Sequence, residues 1–147
     1  MATYSFLDVQ ASIVGPGGSF SIGAGSGSSE EGITLEPSED LNTMTIGADG
    51  KGMHSLHASR GGKVVVRLLK TSPTNALLDQ MMELQRTSGA LHGQNVISVA
   101  NFATGDVTTC SQAAFAKQPT VSYKKEADMI EWHFDAISMI MMLGANV

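Results

Sequence analysis

Cys110 is the one cysteine among 147 residues. A lone thiol excludes an intramolecular disulfide and fits a reducing compartment. Charge is scarce as well: Asp, Glu, Lys and Arg make up 16%, against the ~25% of an ordinary soluble domain. Lysine and arginine are absent from residues 1–50 altogether. No stretch approaches the roughly 18 consecutive apolar residues a membrane helix needs. The opening MATYSFLDVQ has neither a basic segment nor a long apolar run, so no signal peptide is expected. Synthesis and folding in a cytoplasm are the expectation.

What charge there is lies unevenly. Asp8, Glu30, Glu31, Glu36, Glu39, Asp40 and Asp49 give the first fifty residues only negative charge, while all nine bases lie beyond them. Phosphate binding needs Lys and Arg, so the N-terminal third is not a nucleic-acid grip. The low total implies a surface that is largely uncharged, as suits a chain covered by partners. The length corresponds to one domain over 1–147, with about two-thirds of its unfolded surface buried.

Apolar residues recur mostly at every second position. Leu7, Val9, Ala11 and Ile13 alternate with Asp8, Gln10 and Ser12, a half-buried strand. GPGG at 15–18 reads as a turn with SFSIG as the returning strand. AGSGSSEEG reads as a flexible loop. ITLE, NTMTIG, MHSLHAS and KVVVRLL read as further strands, with the ADGKG loop at 48–52 among them. NVISVANF and VTTCS form a hairpin around Thr-Gly-Asp, and VSYKK and the C-terminal run complete the set. Turn signals at this spacing predict an antiparallel β-sandwich or barrel.

One segment has helical spacing. In KTSPTNALLDQMMELQRTSG, Ser72 is placed to cap, Pro73 falls in the first turn and Gly89 stops the run. Leu77, Met81 and Leu84 form a stripe with Leu78 and Met82 beside it, leaving Asp79, Glu83 and Arg86 outside. The expectation is one helix over about 72–88, packed on a sheet or covering an edge.

No catalytic, cofactor or metal site emerges. His54 and His57 lack a third ligand of suitable spacing, and as strand neighbours three apart they point to opposite faces. His92 reads as a loop residue and His133 as a polar-face strand residue. Cys110 reads as a small buried filler. GPGGSFSIGAGSG lacks the third glycine of a dinucleotide loop and the GK[ST] of a phosphate loop. The paired acids Glu30–Glu31 and Glu39–Asp40 sit in polar stretches that would not raise a carboxyl pKa. No enzyme is expected.

The C-terminal run poses the remaining question. Ile130, Trp132 and Phe134 alternate with Glu131, His133 and Asp135, but from Ile137 onward nearly every residue is apolar. Met129–Leu143 as one strand would span roughly 50 Å, and its run of residues is more than twice the usual ~5–6. Its far end would be apolar on both faces, an aggregation hazard unless other copies cover it. The nine methionines suit an adaptable packed surface. Homo-oligomerisation through β-structure is the expectation.

Over nearly the whole chain the sequence resembles the tail tube proteins of contractile-tailed bacteriophages. TSPTN at 71–75 and the GD…C…AAFAK…KEA…EW series from Gly105 to Trp132 carry the resemblance most specifically. Such proteins are similar to the haemolysin-coregulated tube protein of type VI secretion. The resemblance implies a mainly β domain, a sandwich or barrel with one flanking helix. Six copies form a ring whose sheets merge into a continuous barrel, and rings stack into a tube. A sheath surrounds the tube, a baseplate starts it and a tape-measure protein sets its length. DNA passes through the bore without specific binding. The protein would be a virion tail component assembled in the host cytoplasm.

On that reading Glu30, Glu31, Glu39 and Asp40 are candidates to face the bore. Met44, Ile46, Asp49, Lys51, Met53 and Leu56 are candidates for contact with the next ring. Ile137, Met139, Ile140, Met141, Met142 and Leu143 are candidates for contact between subunits. Two alternatives stand beside it: a type VI secretion-like tube protein that carries effectors, and a small β-sandwich that binds a ligand.

Overall fold

The computed structural model describes residues 3–145, with Ser28–Glu31 described in their backbone only. Nine strands and one α-helix follow in order: β1 Val9–Gly15, β2 Gly18–Ser21, β3 Ser28–Pro37, β4 Asn42–Ile46, β5 Gly52–Leu56, β6 Gly62–Leu69, α1 Thr74–Gln85, β7 Asn95–Asn101, β8 Asp106–Lys117 and β9 Met129–Met142. A 3-10 turn, Phe6–Asp8, precedes β1. Among the described residues no helix is long and apolar enough to cross a membrane.

Seven strands form one antiparallel sheet in the order β2-β1-β7-β8-β9-β6-β3, and β4 and β5 form a separate hairpin. The two outermost strands, β2 and β3, are consecutive in the chain. Beyond Ser21 the chain stays on β1, with Ile22 N–H donating to Ala11 O at 2.9 Å and Ala24 N–H to Val9 O at 3.2 Å. By Gly27 it has changed partner, since Leu69 N–H donates to Gly27 O at 2.8 Å. The sheet therefore curls round until one stretch of chain bridges its two edges, which is the predicted sandwich or barrel.

Glycine makes that bridge possible. A Cβ on Gly23 would lie 2.6 Å from Ala11 N, and Gly27 has φ +83° with Ser72 Cβ 2.8 Å from where a Cβ would stand. The helix start pins the bridge: Ser26 O accepts from the Ser72 hydroxyl and from Thr74 Oγ1. Ser72 Oγ in turn accepts from Thr74 N–H at 3.3 Å, so Ser72 ties the bridge to the helix start, but the cap position expected of it is held by Pro73.

The helix is shorter than the expected 72–88. Pro73 is its N-cap, and at the other end Thr87 N–H and Oγ1 both donate to Leu84 O and close the last turn. Its buried face is Thr74, Leu78, Met81, Met82 and Gln85, with Leu77 and Leu84 facing out. The stripe is thus rotated from the expected one, because a side chain's reach toward the sheet depends on where the helix docks. Gln85, 1% exposed, exchanges two hydrogen bonds with fully buried Asn95 at 2.7 and 2.9 Å and donates to Pro16 O at 3.0 Å. This ties the helix to β7 and to the β1–β2 turn.

Four other expectations change. Leu7, expected on the inward row of the first strand, lies in the 3-10 turn and is exposed, and β1 begins at Val9. β3 begins inside the expected AGSGSSEEG loop, at Ser28, with a register shift before Ile33 and Gly32 at φ +60°. β8 runs on from VTTCS to Lys117. VSYKK is not a strand: residues 118–128 carry none, and Val121 and Tyr123 are exposed. Pro119 lacks an N–H for a ladder and the run has no inward-facing partner row.

The core lies between the curled halves of the sheet and under the helix, with Ile13, Ile22, Val64, Val66, Leu68, Leu78, Met81, Ile97 and Phe134 fully buried. Phe115 packs against Phe134 and edge-on to Trp132 at centroid distances of 4.7 and 6.0 Å. Cys110 is buried among them, as expected.

Candidate functional surfaces

The long last strand is real, and two irregularities reconcile it with one core. Ile130, Trp132, Phe134 and Ala136 face inward, then the inward position passes to Met139. On the partner strand β8 the inward residues change from Thr108 and Cys110 to Ala113 and Phe115, around Gln112 at φ +52°. The register against β7 shifts at the same place, the mark of a bulge. Cys110 stands opposite Met139, and Ala113 opposite Ala136, so the two switches occur together.

Beyond Ala136, β9 outruns its neighbour β6, which begins at Gly62 opposite Ala136. On that side the pairing continues as an isolated bridge between Arg60 and Ser138, with Met139 N–H donating to Arg60 O at 2.7 Å. The other side stays paired with β8 as far as Met142. Ile137, Ile140, Met141, Met142 and Leu143 are exposed, Ile137 at 69% and Leu143 at 77%. They form an apolar edge. Met139, expected with them, lies in the subunit's own core at 6% exposure, because its side chain fills the space above Gly62.

The β4–β5 hairpin leaves the sheet between β3 and β6 and, among the described residues, pairs only with itself. Leu41, Met44, Ile46, Met53 and Leu56 are all exposed along it, Leu56 at 88%. At its tip Asp49 Oδ1 accepts from Lys51 N–H at 3.2 Å. The histidines are held within the ribbon: His54 Nδ1 contacts Asn42 Nδ2 at 3.0 Å, and His57 Nε2 contacts Thr43 Oγ1 at 2.6 Å. No cluster of metal-binding side chains occurs among the described residues.

The curled sheet presents two outward faces of opposite character. On one, cross-strand rows run Ser21–Ser12–Ser98–Thr109–Ile140 and Gln10–Ala100–Val107–Met142. None of these side chains carries a charge, and Val107, Ile140 and Met142 are exposed aliphatics, with Val14 and Val96 beside them. On the other face, Glu36 stands opposite Lys63, and Lys63 opposite Asp135. The next charged row places Arg67 opposite Glu131, with Arg67 Nε 3.5 Å from Glu131 Oε1 and Arg67 Nη1 donating to Thr34 Oγ1 at 2.7 Å. His133 Nε2 lies 3.5 Å from Glu131 Oε2, and Lys117 stands opposite His133.

The expected acidic positions divide. Glu39 and Asp40 are exposed in the link from β3 to the hairpin, and Glu39 shares a shallow cleft with Arg60 and Ile137 beside the open β9 edge. Glu30 and Glu31 lie on β3, with side chains outside the described residues. Sequence reasoning missed the charge ladder, including Glu36, because its members come from separate strands that only the register brings into rows. The charge-free rows were signalled in part by the Ser and Thr alternation of β1, β7 and β8.

Comparison with known proteins bears on the fold and the family. No curated protein matches by sequence. The chain is similar in fold to a protein in the extended sheath-tube complex of an extracellular contractile injection system, PVC: 13% identity, TM-score 0.59, 91% of this chain and 88% of that one. It is also similar to a chain in the six-fold symmetrised baseplate of the anti-feeding prophage, at 14% identity and TM-score 0.62 over 97% and 96% of the two chains. A chain of that prophage's tube-terminating cap aligns at 10% identity and TM-score 0.55, over 98% and 95%. The family model for the bacteriophage PhiTE tail tube protein matches residues 1–144. An exposed apolar hairpin, an open strand edge and a fold of tube type thus meet in one chain, which belongs to the bacteriophage PhiTE tail tube protein family.

Proposed function

We propose that the chain is the subunit of a contractile-tail tube built from stacked hexameric rings, and that the tube conducts the phage genome during ejection. The β4–β5 hairpin carries this reading. A two-stranded ribbon is marginal in water by itself, and this one exposes five large apolar side chains and is separate from the main sheet. Such a ribbon is stabilised when a second surface covers it. In a stack of rings the next ring supplies that surface. Burial of Met44, Ile46, Met53 and Leu56 dominates the contact, since an exposed pair such as Asp49 and Lys51 contributes only ~0–1 kcal/mol.

Within a ring, the apolar edge at Ile137 and 140–143 meets the neighbouring subunit. Closure of six copies removes the open strand edges that an isolated subunit leaves unpaired. A sheath around the tube, a baseplate that starts it and a tape-measure protein that sets its length are the remaining partners. The subunit works as structure, without a cofactor and without catalysis, in the virion tail after assembly in the host cytoplasm. Glu39 and Asp40 are proposed to face the bore; the side chains of Glu30 and Glu31 lie outside the described residues.

Negative-stain electron microscopy over a concentration series, with and without a baseplate seed, tests the proposal. Hollow tubes with six-fold end views are expected. A subunit that stays monomeric at high concentration and does not polymerise on the seed contradicts it.

A further inference from the structure

Resting on the tube reading, we propose that the charged ladder of β3, β6, β9 and the end of β8 is the wall of the bore, and that its carboxylates keep its cations from holding nucleic-acid phosphate. Three observations converge on this face. First, the two outward faces differ in what they gain from water. The rows through Ser12 and Gln10 expose Val14, Val96, Val107, Ile140 and Met142 with no charge among them. A face of that kind gains by being covered with protein. The ladder face shows exposed large aliphatics on β6 and β9 only at its two ends, Leu69 and Ile137. Its middle is charged and polar apart from half-buried Val65, which stands between Thr34 and His133, and it suits permanent contact with water.

Second, the hairpin springs from this half of the sheet. β3, the hairpin and β6 follow one another in the chain, so the element that reaches for the next ring prolongs the ladder's own strands. A bore wall must continue from ring to ring, and this is the half of the sheet that continues. Third, this half can also join sideways: β3 is a terminal strand, and the β8–β7 pairing ends at Ala113, leaving Ala114–Lys117 with one open side.

The chemistry of the ladder fits a conduit that must not grip its cargo. Each exposed Lys or Arg facing DNA adds a salt-dependent phosphate contact as it releases a counterion. Here Lys63 stands between Glu36 and Asp135, and Arg67 is paired to Glu131. Lys117 lines a cleft with Asp128 and Glu131. Opposite charges directly across an antiparallel pair attract, so a phosphate passing Arg67 must displace a carboxylate already in place, and one passing Lys63 meets carboxylates on both neighbouring strands. The wall is polar and hydrated, and Lys63, Arg67 and Lys117 on these strands each have a carboxylate opposite them or in the same cleft.

Cysteine accessibility in assembled tubes tests the placement, because native Cys110 is buried. Lys63→Cys (ladder face) and Ser98→Cys (charge-free face) are labelled with biotin-maleimide as subunits, assembled, and exposed to streptavidin, which is too bulky to travel far along a narrow bore. Decoration along the tube for Ser98→Cys, with Lys63→Cys decorated only at tube ends, supports the proposal. The reverse pattern overturns it while leaving the tube reading intact. Absence of tubes from the wild-type protein, even with a seed, overturns the tube reading and the proposal with it. As a second measurement, tubes of Glu131→Gln/Asp135→Asn should retain a short fluorescent DNA duplex about tenfold more than wild type at low salt, and lose it as salt rises. Tubes of that variant that retain no more than wild type overturn the neutralising role of the carboxylates.

Discussion

Met139 sits over Gly62: a Cβ on that glycine would stand 2.5 Å from the methionine's Cε, 2.8 Å from its Sδ and 3.1 Å from Glu36 O. The missing side chain at the start of β6 is what lets β9 turn Met139 into the core while its neighbours stay outside. Gly62→Ala therefore overpacks the site, at a cost of about 1–3 kcal/mol. In Gly62→Ala/Met139→Ala the methyl has room, so the double variant should lose clearly less than the sum of the two single losses. Urea unfolding of the unassembled subunit measures all three.

The Gln85–Asn95 pair is fully satisfied, and no buried side-chain donor or acceptor lacks a partner among the described residues. Gln85→Leu strands the Asn95 amide in the core, and an unsatisfied buried group costs about 1–3 kcal/mol. Adding Asn95→Leu removes the stranded amide and should recover part of the loss. A double-mutant cycle from denaturant melts shows the coupling; additive losses would mean that the pair is not a unit.

Burial pushes the Cys110 thiol from 9.0 up to about 11. The unfolded chain ionises this group first, so its contribution to stability is complete below pH 9 and is lost as pH rises toward 11. The fall is about 1.4 kcal/mol per pH unit within that window. Cys110→Ala should flatten the stability profile between pH 9 and 11, whatever it costs at neutral pH. The native thiol should also resist alkylation at pH 8, as a protonated and inaccessible group does.

Stacking is the step most exposed to hairpin changes. Ile46→Lys/Met53→Lys places charge where the next ring would cover apolar surface, yet both positions are solvent-exposed in the subunit. The subunit melt should move by less than about 1 kcal/mol, as for surface substitutions in general, while tubes give way to single rings or short stubs. Light scattering during polymerisation, with micrographs of the products, separates the two effects. Unchanged tube growth would remove the hairpin from the contact.

Much of the fold was legible where one residue's environment repeats at a fixed period. The alternation of Val9, Ala11 and Ile13, of Val64, Val66 and Leu68, and of Ile130, Trp132 and Phe134 identifies each inward face. The helix was legible from Pro73 and its apolar spacing, though the docked face, with Gln85 in it and Leu77 outside, was not. What escaped depends on distant partners. The Gln112 bulge and the inward turn of Met139 are agreements between two strands, and neither leaves a local trace. VSYKK carries strand-forming residues but has no neighbour to pair with. The charge ladder needs the register of four strands before Glu36, Lys63 and Asp135 become one row.

The most direct measurement is a cryo-electron microscopy reconstruction of the assembled tube at side-chain resolution. Six subunits per ring are expected, with Met44, Ile46, Met53 and Leu56 of the hairpin buried against the next ring and the apolar β9 end at Ile137 and 140–143 covered by a neighbour. A tube in which the hairpin remains in solvent, or an assembly without a bore, would contradict the reading of both surfaces.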